Sequence, residues 1–262
     1  MPGKCLKFPI RCPDFLFLPY GNPALLTTFL LCTKQQPMST IPFYVPLLFG
    51  ACVLAAVFTL WRAANRSRML LILAAAWIVV ESVIPPILPL LALPPMLVII
   101  AILATKKGRG FINTLDLPTL TLLHTLRIVV EFVLYQLYRS HAAPVLMTFE
   151  GRNFDILSGL SAPIVYYFAF VRHRMPARWL IAWNLACIVL LFNAVAYGVL
   201  TAPGPLQRLS FDHPNIALQH FPYVLLPGVL VPIVLFSNAA SILKLLKIRS
   251  VNGDKFFVEK AG

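Results

Sequence analysis

From Met69 to Ala104 the chain runs 36 residues with one charged side chain, Glu81. A single helix of that length would extend about 54 Å at roughly 1.5 Å per residue. The hydrocarbon layer of a bilayer is only about 30 Å thick. The stretch must therefore double back, and Pro85, Pro86 and Pro89 mark where. Proline removes a backbone donor and disfavours helix in the residue before it. The pattern predicts a span over 69–84, a tight hairpin at the prolines, and a span over 88–104 kinked by Pro94 and Pro95. Water does not suit such a chain, since 59% of the residues are hydrophobic and 12% charged. A soluble domain carries about 25% charged residues.

The same counting finds an uncharged run from Ile41 to Trp61 and further spans at Leu117–Tyr138, Ile156–Val171, Trp179–Leu200 and Pro222–Leu243. The basic residues between the seven spans test the count. Arg62, Arg66 and Arg68 follow span one, and Lys106, Lys107 and Arg109 follow span three. Arg172, Arg174 and Arg178 follow span five, and Lys244, Lys247, Arg249, Lys255 and Lys260 follow span seven. The alternate linkers hold only Arg139, Arg152 and Arg208. Cytoplasmic loops collect Lys and Arg, so the expected architecture is an all-α, polytopic membrane helix bundle of about seven transmembrane helices. Its N-terminus lies outside and its C-terminus in the cytoplasm.

Residues 38–248 form the expected membrane domain and 249–262 a cytoplasmic tail. Residues 1–37 fit poorly, because Lys4, Lys7, Arg11 and Lys34 contradict an outside location and Pro9, Pro13, Pro19 and Pro23 break any helix. The expectation is a disordered or non-native extension before Met38. The rival is an eighth span near Phe15–Cys32.

The net charge of +13 invites a nucleic-acid partner, but no basic stripe interleaved with aromatics exists. The partner expected is the lipid bilayer, together with a small-molecule or ion ligand. The five cysteines show no metal-ligand spacing. No phosphate-cradling, dinucleotide-binding or zinc-protease motif occurs, nor a nucleophile elbow. No cofactor is expected, nor an attached soluble kinase, cyclase or ligand-binding domain.

Span four carries the most informative polar residues. His124, Arg127 and Glu131 fall at i, i+3 and i+7, on one helical face. A charge near mid-bilayer costs at least about 2.5–3.5 kcal/mol, so it should face the bundle interior or a water-filled cavity. Arg127 and Glu131, four apart, can pair. His124 is a group able to exchange protons near neutral pH. The stripe reads either as a neutralised structural pair or as a binding or proton-relay site. Glu81 lies one turn from the outer end of span two, at a depth similar to Glu131.

The linker after span four packs Glu150, Arg152, Asn153 and Asp155 into six residues. Gly151 suits a turn there, and Asn153 or Asp155 suits a helix cap. Ser158, Gly159 and Ser161 are small enough to seat Asp155 against span four. His213 and His220, seven apart around Pro214, match no zinc spacing and are only weak metal candidates.

The stretch Leu123–Pro163, above all the segment MTFEGRNFDILSG, resembles a family of uncharacterised bacterial multi-span membrane proteins. The resemblance covers the chain from about Met38. It implies a bacterial cytoplasmic membrane and transfers no functional residue, because the family has no established activity. The leading expectation is a small-molecule or ion binder or transporter built on His124, Arg127 and Glu131, with Glu81, Glu150, Arg152 and Asp155 at the outer mouth. An intramembrane enzyme for lipid or isoprenoid substrates, using Asp155, His213 and His220, is the second class. A structural or accessory subunit is the third.

Overall fold

The computed structural model describes residues 41–83 and 88–252. The N-terminal segment, the hairpin at Pro85 and Pro86, and residues 253–262 of the tail lie outside the described residues. Every element among the described residues is helical. In chain order these are α1 (Tyr44–Ala63), α2 (Arg68–Val83), α3 (Leu88–Ala104), α4 (Lys106–Thr114), α5 (Leu117–Leu123) and α6 (Leu126–Arg139). Then follow α7 (Ile156–Tyr166), α8 (Ala177–Thr201) and α9 (Val231–Asn252). Among the described residues four helices are long and apolar enough to cross a membrane: Tyr44–Ala63, Leu117–Arg139, Ala177–Thr201 and Leu226–Ser250. Apolar side chains cover their outer surfaces. Leu54 and Val189 are each 67% exposed, which suits hydrocarbon rather than water as the neighbour.

Wider helical turns mark two of the proline-bearing spans. Pro163 sits inside α7, which continues as a π-helical turn over Tyr167–Val171. Pro227 lies in a second such turn, Leu226–Leu230, which leads into α9. A missing N–H frees a carbonyl one turn back, and a wider turn is one way the backbone adjusts. The last helix therefore starts later than Pro222 and runs past Leu243, through Lys244, Lys247 and Arg249.

The expected unbroken span four is divided. Between α5 and α6 the chain tightens at His124 and Thr125, whose N–H groups bond to Thr121 and Leu122, three residues back. Arg127 and Ile128 repeat that spacing to His124 and Thr125. Such a tightened turn rotates the residues after it relative to those before.

α9 occupies the centre, touching α1, α3, α4, α5 and α8. The basic linkers gather at one end. Asp116 N–H donates to the Ala63 carbonyl at 2.9 Å, Asn65 Nδ2 to Thr114 at 3.3 Å, and Lys244 Nζ to Leu115. Met175 and Ile248 pack there against a cluster containing Leu117 and Leu245. The two remaining linkers meet each other, since Ala217 N–H donates to the Ala142 carbonyl at 3.0 Å.

α7 approaches α6 closely because Gly159 has no side chain. A Cβ there would stand 2.8 Å from Ile128 Cγ1 and 3.0 Å from the Ile128 nitrogen. Gly159→Ala is expected to cost about 1–3 kcal/mol through overpacking. Thermal unfolding in mild detergent checks it, and an unchanged midpoint would contradict the contact.

Candidate functional site

Arg127, on the first turn of α6, is 3% exposed and needs partners inside the bundle. Its Nη1 meets Asp155 Oδ1 at 2.7 Å and the Cys187 carbonyl of α8 at 3.3 Å; Nη2 reaches the same carbonyl at 3.5 Å. The expected Arg127–Glu131 pair does not form. The guanidinium is occupied by Asp155 and Cys187, while Glu131 Oε1 accepts from Asn153 Nδ2 at 2.5 Å. Asp155 stands at the N-terminus of α7 yet makes no side-chain cap there. Its carboxylate is committed across the helix interface instead.

The segment before α7 is folded to deliver these groups. Val145–Met147 forms a short 3₁₀ turn. Gly151 comes so close to the Val145 carbonyl oxygen that a Cβ would overlap it. The chain then reverses, with Gly151 and Asn153 N–H both bonding to the Thr148 carbonyl. Asn153, 1% exposed, is the hub. Its Nδ2 serves both Glu131 and the Met147 carbonyl, the latter at 3.0 Å, and its Oδ1 accepts from Asp155 N–H at 3.2 Å. Asn193 Nδ2 of α8 holds the loop from the other side through the Arg152 carbonyl at 2.7 Å.

Beside this cluster lies a cavity of about 360 Å³. Arg127, Glu131, Asn153 and Asp155 supply its polar wall. The rest is apolar, contributed by every neighbouring helix: Ala56 from α1, Met96 from α3, Leu134 from α6, Leu191 from α8, and Leu230 and Val234 at α9. Met147 and Leu218 line it at the linker end. The volume falls in the roughly 300–1,000 Å³ range of small-molecule sites, which are typically apolar with a few placed polar groups.

Arg127, Glu131 and Asp155 of the anticipated residues are thus brought together, and others are not. His124 is fully buried, edge-on to Trp183 at 5.3 Å between ring centroids, with neither ring nitrogen hydrogen-bonded among the described residues. It does not line the cavity. The tightened turn lies between it and Arg127, yet both face α8, His124 at Trp183 and Arg127 at Cys187 one turn on. Glu81 packs against Gly228, where a Cβ would overlap its carboxylate, and both its oxygens lack hydrogen-bond partners among the described residues. The Trp77 indole, one turn back, donates to the Gly228 carbonyl at 3.0 Å. Glu81 is therefore a third buried carboxylate and does not line the cavity. Glu150 and Arg152 project from the loop and are exposed.

His213 is exposed and faces the His141 ring at 6.1 Å, and His220 is half-buried. Among the described residues no three metal-ligating side chains converge. His213 and His220 form no such group with Asp155. Asn153 is the residue that sequence reasoning undervalued. It was expected at most to cap a helix, although its place two residues before Asp155 in a buried polar run was visible.

Comparison with curated proteins finds no match, and comparison with solved structures finds none. A family model described as "Domain of unknown function (DUF8737)" matches residues 84–246, which takes in α3 through most of α9 and all four polar residues of the cavity wall. The chain belongs to that uncharacterised family.

Proposed function

We propose that this is a seven-span protein of a bacterial cytoplasmic membrane that binds, and by alternating access carries, a small amphipathic molecule in the cavity beneath the Val145–Asp155 loop. The supporting observation is the cavity itself. One buried polar wall of Arg127, Glu131, Asn153 and Asp155 faces an otherwise apolar enclosure. Such a site suits a molecule with one polar group and a hydrocarbon body. In this reading the shorter helices α2, α3 and α7 also cross the bilayer. The basic linkers gathered near Leu115, Lys244 and Met175 then define the cytoplasmic end. The cavity loop lies at the outer end, with the N-terminus outside.

The test uses 1-aminoanthracene, an apolar fluorophore with one amine, and protein reconstituted in phosphatidylcholine nanodiscs. Saturable fluorescence enhancement above protein-free discs is expected. Val195→Trp, which fills the cavity from α8, should remove it while leaving the unfolding midpoint within a few degrees. Enhancement that is non-saturable, or equal in the tryptophan variant, would sink the proposal.

A further inference from the structure

The chain as a whole is strongly basic, with 22 Lys and Arg against 9 Asp and Glu. Its buried charges reverse that balance. Among the described residues they are Glu81, Arg127, Glu131 and Asp155. Three of the four are acidic. At the cavity one guanidinium faces two carboxylates, and the pairing is unequal. Arg127 is bound to Asp155 at 2.7 Å. Glu131 receives only the neutral amide of Asn153 on Oε1, and Oε2 has no hydrogen-bond partner. Glu131 is 1% exposed and forms part of the cavity wall. A carboxylate oxygen held out of water without a donor is costly, and a positively charged N–H donor relieves that cost most strongly.

From this we infer that the ligand of the cavity is a cationic amphiphile, an organic amine whose ammonium group meets Glu131 Oε2 while its hydrocarbon lies among Met96, Leu191, Leu230 and Val234. The inference rests on the proposed binding role of the cavity and specifies its substrate class. Arg127 is then the counter-charge of Asp155 and leaves Glu131 as the single anionic anchor. An anionic head would add a third negative group beside Glu131 and Asp155, so it is disfavoured. A neutral alcohol would gain the hydrogen bond without the charge attraction.

A proton and an ammonium compete for the same oxygen. Occupancy by the amine therefore releases a proton from Glu131 when one is bound, and binding weakens as the medium becomes more acidic. The groups around Glu131 that bear on this are Arg127 on its own helix, Asp155 at the start of α7 and the neutral Asn153. The walls from α1, α3, α8 and α9 contribute no titratable side chain to the cavity. Glu81 and His124 are buried elsewhere. One site that takes either a proton or an organic cation is the minimal requirement for exchanging one for the other across a membrane.

Decylammonium, decanol and decanoate share a ten-carbon chain and differ in head charge, so they separate the alternatives. Each is tested by displacement of 1-aminoanthracene from protein in phosphatidylcholine nanodiscs, with protein-free discs subtracted. Decylammonium is expected to displace the dye at least tenfold more tightly than decanol, and decanoate least well. Glu131→Gln should bring decylammonium down to the level of decanol, Glu131→Asp should keep part of the preference, and the exposed Glu150→Gln should change nothing. Equal displacement by all three heads, or a cation preference surviving in Glu131→Gln, overturns the cationic assignment while the cavity reading stands. Absence of saturable dye binding in the parent protein overturns both. Should Glu131→Gln fail to fold, the order of the three heads on the parent protein still decides.

Discussion

Asp155→Ala is expected to destabilise the protein by about 3–5 kcal/mol, among the largest effects of any single substitution here. The pair it breaks is buried, with side-chain exposures of 4% for Arg127 and 9% for Asp155. Removing the carboxylate leaves a guanidinium inside the bundle with the Cys187 carbonyl as its remaining hydrogen-bond partner. The penalty comes mostly from that stranded charge and only partly from the lost contact. The double variant Arg127→Met with Asp155→Leu should therefore recover much of the loss, because well-packed apolar residues often replace a buried ion pair without net cost. Equilibrium unfolding in mixed detergent, run as a double-mutant cycle, measures both effects. If Asp155→Leu and Arg127→Met were additive in that double variant, the two side chains would not be coupled and the assigned pair would be wrong. A destabilisation under about 1 kcal/mol would place the pair in contact with water.

How much of this site was visible beforehand follows from chemistry. Arg127, Glu131 and Asp155 stand out because a charge within or beside an apolar run has few stable options other than facing inward. Their partners were not visible. The i, i+4 spacing of Arg127 and Glu131 satisfies a local rule, but the structure overrides it through a non-local event, the close approach of α7 that Gly159 allows. His124 does turn inward, buried against Trp183 one turn from the Cys187 that Arg127 reaches. Periodicity alone did not show the tightening at Thr121 and Leu122 that precedes Arg127. The apolar walls of the cavity were beyond reach altogether. On α8, Leu191 is 5% exposed and Val189 is 67% exposed, yet both are aliphatic. In a bilayer, lipid-facing and cavity-facing residues have the same chemistry, so composition does not separate them. The grouping of the basic linkers, in contrast, needed no packing information, because their Lys and Arg clusters stand between the apolar runs in the sequence itself.

The second large effect is expected at Asn153. Asn153→Ala removes the donor on Glu131 Oε1, the donor on the Met147 carbonyl and the acceptor for Asp155 N–H together. A buried acceptor left without its donor costs about 1–3 kcal/mol, and more when charged, so a loss of about 3 kcal/mol is anticipated. Two readouts separate its parts. If the stranded Glu131 carboxylate dominates, Glu131→Gln combined with Asn153→Ala should be more stable than Asn153→Ala alone, because the amide brings its own donors. If loop folding dominates, the combination should be no better. The Val145–Asp155 loop should then show faster amide hydrogen exchange while α6 stays protected. The first outcome is expected. Glu131 is 1% exposed with its second oxygen already unpartnered, whereas the loop keeps its backbone bonds at Thr148 and the Asn193 tie to Arg152. Full stability in Asn153→Ala would mean that Glu131 does not depend on the amide. The polar wall of the cavity would then have to be redrawn without its hub.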